Sequence, residues 1–234
     1  MTWLQTCSNG PTDRAFDLLA PDWRDVDFEV AMPEALARIA RYTGHVRAGI
    51  YSVAQHSVLG ADAVWRDTRD RKAAACFLLH DGHEYVLGDK ATPISEAEIA
   101  TAEQLQPGAG AIMREVQRLM KARADLAIYY AACLGADGCP LEYRHLVKQY
   151  DMAMLATETR QLLGPKPKPW HPSVEAAQPL RLVGRITVWP WHQAADEFRD
   201  RLSRYLPERF GPPAPRPQPK PAPRRSARRT LVEA

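Results

Sequence analysis

The sequence predicts an all-α fold, a single helical bundle over residues 1–206 with a disordered Pro/Arg-rich tail over residues 207–234. Two patterns predict it. From Pro33 to Leu206 apolar residues recur at helical spacing between turn signals, as expected of helices with one face in a core. Beyond Pro207 the chain becomes proline-rich and then arginine-rich, GPPAPRPQPKPAPRRSARRT. It has almost nothing to bury, so ordering it would cost entropy without an apolar return. At 234 residues, 45% hydrophobic and 25% charged, the chain is long enough to enclose one core.

Each element has its own signal. Residues 1–30 are mixed, with Gly10-Pro11 and Ala20-Pro21-Asp22 as turn signals, and read as irregular structure or a short strand pair. Pro33 suits the first turn of a helix running to about Tyr42, with Gly44 as its stop. A second helix covers Ser52–Arg66, and a third follows Asp70, a good N-cap, and ends at Gly88. Ser95-x-x-Glu98 after Pro93 has the form of a capping box for a fourth. Residues 110–134 and 141–163 read as longer helices, the latter closed by Gly164-Pro165 and a stiff PKPKP loop. The last helix, about His192–Leu206, carries Ala195, Phe198, Leu202 and Tyr205 on one face. There is no internal repeat.

Composition narrows the function classes. No apolar run approaches the roughly 18–20 residues that span a bilayer; the densest is Ala73–Leu79. No basic, apolar leader opens the chain, and the four cysteines (Cys7, Cys76, Cys133, Cys139) form no CxxC. A cytoplasmic protein with reduced thiols and no membrane association is therefore expected. The net charge of +3 hides an asymmetry. From Pro207 onward seven basic residues face two acids, so the tail carries +5 and the rest of the chain −2. Any weak nucleic-acid contact would come from the tail; a solvated linker is the plainer account.

The chemistry announces itself as polar residues on apolar faces. Ala73, Cys76, Phe77, His80, Asp81, Glu84, Leu87 and Gly88 fall on one helical stripe that starts apolar and becomes His, Asp and Glu. A buried carboxylate requires a partner charge or a metal. Asp151 repeats the pattern among Val147, Tyr150, Met154 and Leu155, and His56 lies on the Val53–Gly60–Ala63 face. Two imidazoles and two carboxylates from three helices suit a six-coordinate divalent cation completed by water. Mn, Fe, Co, Ni or Zn fits such mixed ligation better than Mg. The bland accounts stand beside it: a lone core histidine is usually just hydrogen-bonded, a His-Asp dipeptide is common, and Asp151 could pair with Arg144 or Lys148.

YSVAQHS around His56, HDGHEYVLGD from His80 to Asp89, and YDMAMLATETR around Asp151 together resemble the HD-superfamily nucleotide phosphohydrolases. The likeness covers roughly residues 12–163 and is to compact bacterial 5′-deoxynucleotidases and to bacteriophage dATP triphosphohydrolases. It implies an HD-domain bundle, metal ligation by His56, His80, Asp81 and Asp151, and a homo-oligomer, with Trp65, Trp189 and Trp191 as interface candidates. It further implies that Glu84 is the acid/base or water-orienting group, that Asp89 supports it, and that Arg41 and Tyr42 line the sugar and phosphate pocket. Lys90 is a weaker candidate for phosphate. The sequence departs from the pattern at Gly82-His83, where small residues are usual, and at Tyr42, where Trp or Phe is commoner. It lacks the GYP extension of cyclic-dinucleotide enzymes and the HD-x-x-E-D-T stretch of alarmone hydrolases.

The expected function is hydrolysis of (deoxy)nucleotide phosphates, of the dNMP 5′-nucleotidase or dNTP triphosphohydrolase type. The alternatives are an oligonucleotide or damaged-nucleotide hydrolase and a non-catalytic nucleotide-binding regulatory module. A pure binder would have no use for Glu84 and Asp89.

Overall fold

The computed structural model describes residues 1–211; the tail from residue 212, expected from the sequence to be disordered, lies outside the described residues. The described chain is a mostly helical bundle with one small sheet. Strands β1 (Trp3–Thr6) and β2 (Arg14–Asp17) pair antiparallel, Trp3 opposite Asp17. Ten helices follow: α1 Ala31–Arg38, α2 Val53–Thr68, α3 Arg71–Leu78, α4 Glu84–Leu87, α5 Thr92–Leu105, α6 Ala109–Ala131, α7 Leu141–Leu162, α8 Pro172–Ala176, α9 Trp191–Tyr205 and α10 Pro207–Phe210. Short 3₁₀ turns lie at Trp23–Asp25 and Arg41–Gly44. None of these helices is long and apolar enough to cross a membrane.

Helix α2 is the hub, packed against α1, α3, α7 and α9. Small residues allow the close approach. A Cβ on Gly60 would lie 2.1 Å from the Phe77 ring, so only glycine lets α2 and α3 sit this near. Local signals set the ends: the Ser52 hydroxyl accepts from the Gln55 amide and the Asp70 carboxylate from the Ala73 amide, each satisfying an orphan donor of the first turn.

Four boundaries differ from the sequence expectation, each for a physical reason. The first helix stops at Arg38 because Ile39 turns extended and Ala40 bridges Ser52. Arg41 N–H donates to the Tyr51 carbonyl (2.9 Å) and Val53 N–H to that of Ile39 (3.1 Å), laying Arg41 and Tyr42 over the start of α2. Tyr42 and Thr43 pay for this with left-handed φ of 58° and 52°.

The expected helix from Asp70 to Gly88 breaks after Leu78. His80 Nδ1 lies 2.6 Å from the Phe77 carbonyl, and amides of His80, Gly82 and Glu84 make three-residue turns back to Phe77, Leu79 and Asp81. The helix resumes only as α4.

Ser95 is not a cap: α5 starts at Thr92 with Pro93 in its first turn, the Ser95 hydroxyl donates to Gln117, and Glu98 pairs with Lys90. Finally, Pro207–Phe210, placed in the tail by composition, forms a helical turn. Its Phe210 ring packs edge-on against Phe28 at 5.1 Å and its Arg209 donates to the Ala131 carbonyl at 3.0 Å.

The four cysteines are free thiols. The three tryptophans singled out for an interface all have intramolecular neighbours. Trp65 meets Tyr205, Trp189 packs on the main core, and Trp191 lies under the Arg38 guanidinium at 3.9 Å.

Candidate metal centre

The break after α3 positions the centre. His56 rises from α2, His80 and Asp81 sit in the turn between α3 and α4, and Asp151 comes from the middle of α7. His56 Nε2 and His80 Nε2 are 3.4 Å apart. Asp81 Oδ2 lies 3.2 Å from His80 Nε2 and 3.7 Å from His56 Nε2, and Asp151 Oδ1 lies 3.7 Å from both. Donors sharing one cation at ~2.0–2.2 Å are about 2.8–3.6 Å apart, so this set needs only small adjustments to close on an ion. His56, His80 and Asp151 form one cluster capable of holding a metal; Asp81, His83 and Glu84 form a second.

The electrostatics are those of a cation site. Burial opposes charging His80, but Asp81 and Asp151 outweigh it and push the imidazole up to about 10. Burial likewise works against the Asp151 and Asp81 carboxylates, yet the histidines hold both below the usual range. Carboxylates that pull a proton this strongly onto an imidazole will also pull a divalent cation. The ion-pair account of Asp151 holds for one oxygen: Lys148 Nζ reaches Oδ2 at 3.1 Å, while Oδ1 faces the histidines. Arg144 is engaged elsewhere, by the Cys139 and Asp137 carbonyls.

Sequence reasoning missed the group that organises the set. Glu158, fully buried on α7, accepts from His56 Nδ1 at 2.6 Å, from Tyr51 Oη at 2.8 Å and from Tyr42 Oη at 2.6 Å, with Arg41 Nε at 3.4 Å. Burial alone would raise its carboxyl, but Arg41 and His56 hold it down at about 2. A carboxylate on Nδ1 fixes the tautomer and turns the Nε2 lone pair toward the cation. His80 is fixed the same way by the Phe77 carbonyl. The signal in the sequence was slight: Glu158 is two turns after Asp151, on the same face of α7.

The remaining candidates divide. Arg41, partly buried, bridges Asp81 (3.3 Å) and Glu158. Glu84 is buried with Oε2 lacking any hydrogen-bond partner; burial, then Asp81 and Asp89, push its carboxyl up to about 10. Asp89, half-buried just past α4, is raised by burial, with Arg41 and Asp81 as its main charged neighbours. Tyr42 points its hydroxyl at Glu158 rather than into open space. Lys90 is exposed and bound to Glu98 at 2.8 Å. A cavity of about 420 Å³ opens on His80, Asp81 and Asp151, walled by α6 and α7, with Lys121, Arg144 and Lys148 along it.

No family model matches the chain. Over 90 residues it is 41% identical to an uncharacterized protein of Rhodobacter capsulatus, a match spanning 36% of this chain and 44% of that one. The chain thus covers less than half the length of that relative.

Proposed function

We propose that the protein is a metal-dependent phosphohydrolase of the HD type acting on the phosphates of (deoxy)nucleotides. The observation that carries the reading is the convergence of His56, His80, Asp81 and Asp151 from three parts of the chain. Their facing donor atoms are 3.2–3.7 Å apart, and each imidazole is oriented through Nδ1. A bound divalent cation would polarise a phosphoryl oxygen and make a water more acidic.

The chain's own residues supply the rest. Arg41 presents a guanidinium beside Asp81, a fork suited to phosphate oxygens. Glu84, whose carboxyl burial pushes up from its ordinary value, can orient the attacking water or handle a proton on the leaving oxygen, with Asp89 beside the same charged cluster. The adjoining cavity of about 420 Å³ matches the scale of a small-molecule site, and its lining sets Lys121, Arg144 and Lys148 beside Asp81, Asp125, Asp137 and Asp151. Glu84 and Asp89 favour catalysis over binding alone.

The test is chromatographic separation of phosphate, pyrophosphate and triphosphate released from every dNMP and dNTP with Mn, Co, Zn or Mg. Phosphate from a dNMP would make the protein a 5′-nucleotidase; triphosphate from a dNTP would make it a triphosphohydrolase. Silence from folded, metal-loaded protein with every nucleotide would refute the proposal.

A further inference from the structure

Two of the four thiols lie together, and neither belongs to the donor set described above. Cys76 sits on α3 at 0% exposure, and Cys139, near the end of the loop between α6 and α7, is half-buried. Their side chains meet and share a hydrogen bond, and Cys139 packs on the core cluster that contains Cys76. Tyr129 of α6 closes the group. Its hydroxyl donates to the Cys76 carbonyl at 3.0 Å and lies against the Cys139 sulfur.

The two sulfurs differ in access and in chemistry. Cys139 lines the cavity of about 420 Å³ beside Asp137 and Gly138, so a solute entering the cavity reaches it. Cys76 is closed to solvent. The hydrogen bond from Cys76 holds the Cys139 thiol down at about 7 against the effect of burial, with Tyr129 and the Arg144 charge helping. The same contact, together with burial, pushes the Cys76 thiol up. An accessible sulfur that is partly thiolate at neutral pH, backed by a buried thiol, pairs an attacking sulfur with a resolving one.

The loop is built to follow such chemistry. Residues 133–139 are held by local contacts rather than by a helix or sheet. Arg144 donates to the Cys139 and Asp137 carbonyls at 2.7 and 3.2 Å, and Cys133 and Gly138 take left-handed φ of 58° and 79°. Helix α3, by contrast, is fixed in the core. Closing the two sulfurs to the ~2.05 Å of a disulfide therefore draws the loop toward α3 and leaves α3 in place.

We propose that Cys139 and Cys76 form a peroxide-responsive thiol pair, in which Cys139 attacks and Cys76 resolves. The Cys139 thiolate attacks one oxygen of a hydroperoxide. The O–O bond breaks, the sulfur is oxidised to a sulfenic acid, and the departing oxygen takes a proton and leaves as an alcohol or water. The Cys76 sulfur then attacks the sulfenic sulfur, its proton leaves with the hydroxyl as water, and the S–S bond forms. In sum two thiols lose two electrons and two protons, and the hydroperoxide is reduced to an alcohol and a water. Asp137, Gly138 and Cys139 wall the cavity, so the bond reshapes that wall, whatever ligand the cavity takes.

The test uses full-length protein, reduced, freed of reductant and exposed to a few equivalents of hydrogen peroxide at neutral pH. Digestion with trypsin and with a protease that cuts before aspartate separates Cys133 from Cys139 at Asp137. Non-reducing mass spectrometry then reads the pairing. A peptide joining Cys76 to Cys139 is expected, lighter by two hydrogens than its halves and split again by dithiothreitol. Cys76→Ala should give no such peptide and leave a sulfenic acid on Cys139 that dimedone traps. Cys139→Ser changes the half-buried loop position and spares the core; oxidation of Cys76 should then slow by roughly tenfold or more.

A pair that stays reduced under peroxide sufficient to oxidise free cysteine would overturn the proposal. So would a link from Cys76 to Cys133, or a Cys76 oxidised as fast in Cys139→Ser as in the wild type. Phosphate release enters none of these outcomes, so the failure of either proposal leaves the other standing.

Discussion

Glu158 offers the sharpest handle on the centre, because it touches four groups and would not itself meet the cation. Glu158→Gln keeps the shape and removes the charge. The amide oxygen can still accept from a tyrosine, but its NH₂ then faces another donor, either His56 Nδ1–H or the second hydroxyl, 2.6–2.8 Å away in the wild type. His56 loses the contact that fixes its tautomer, and losing such a partner typically weakens metal affinity by about 10–100-fold. Glu158→Ala goes further. Arg41 keeps only Asp81 (3.3 Å) as an ion-pair partner, and two tyrosine hydroxyls and an imidazole lose their acceptor. Breaking a buried pair in this way costs ~3–5 kcal/mol. For a domain of this size that lowers Tm by roughly 6–20 °C, at about 2–4 °C per kcal/mol. The assays are calorimetric titration of chelator-stripped protein with Mn or Zn, and thermal unfolding of the metal-free form. A Glu158→Gln protein that binds metal with wild-type affinity would refute the claim that Glu158 organises His56. An unchanged Tm in Glu158→Ala would refute the claim that Arg41 depends on it.

Other expectations follow from the same geometry. Asp81→Ala should lose both metal and turnover, whereas Glu84→Ala should keep the cation of the His56–His80 pair and lose about 10²–10⁴ in kcat; metal content measured beside phosphate release separates the two. Gly60→Ala places a methyl 2.1–2.4 Å from the Phe77 ring, and that ring lies 4.5 Å from His80 centroid to centroid. The variant should lose about 1–3 kcal/mol of stability in denaturant titration and bind metal more weakly; a neutral effect would mean the α2–α3 contact gives way easily. The Asp62 carboxylate, gripped by Arg201 (2.7 and 2.9 Å) and Tyr205 (2.5 Å), lies below its ordinary value because these bonds outweigh the opposing effect of burial. Its stabilisation is therefore present above the unfolded value of about 4 and lost as pH falls through the lower folded value. Asp62→Asn should flatten that acid limb in unfolding measured from pH 6 to 2, and an unchanged slope would remove Asp62 from the acid response.

What the sequence could and could not reveal follows from where each signal resides. Helix spans were legible because apolar period and caps are local: Ser52 and Asp70 announce α2 and α3 within three residues of themselves. The break after Leu78 carries no such mark. It is made by the His80 side chain beside the Phe77 carbonyl and by a bundle that needs His80 and Asp81 turned toward α2 and α7, so a stripe whose helical spacing runs on from Ala73 to Gly88 concealed it. The same distinction runs through the centre. His56, His80, Asp81 and Asp151 could be picked out one by one, since a polar group on an apolar face is anomalous in its own helix. Their partners could not. Glu158 lies 102 residues from His56 and Asp125 lies 42 from His83, and each is an ordinary acid in an ordinary helix until the fold sets it behind an imidazole. A buried histidine that lacked such a partner would be free to rotate, and its lone pair could not be aimed. The acids that looked unremarkable in sequence are therefore the residues on which the metal reading most depends.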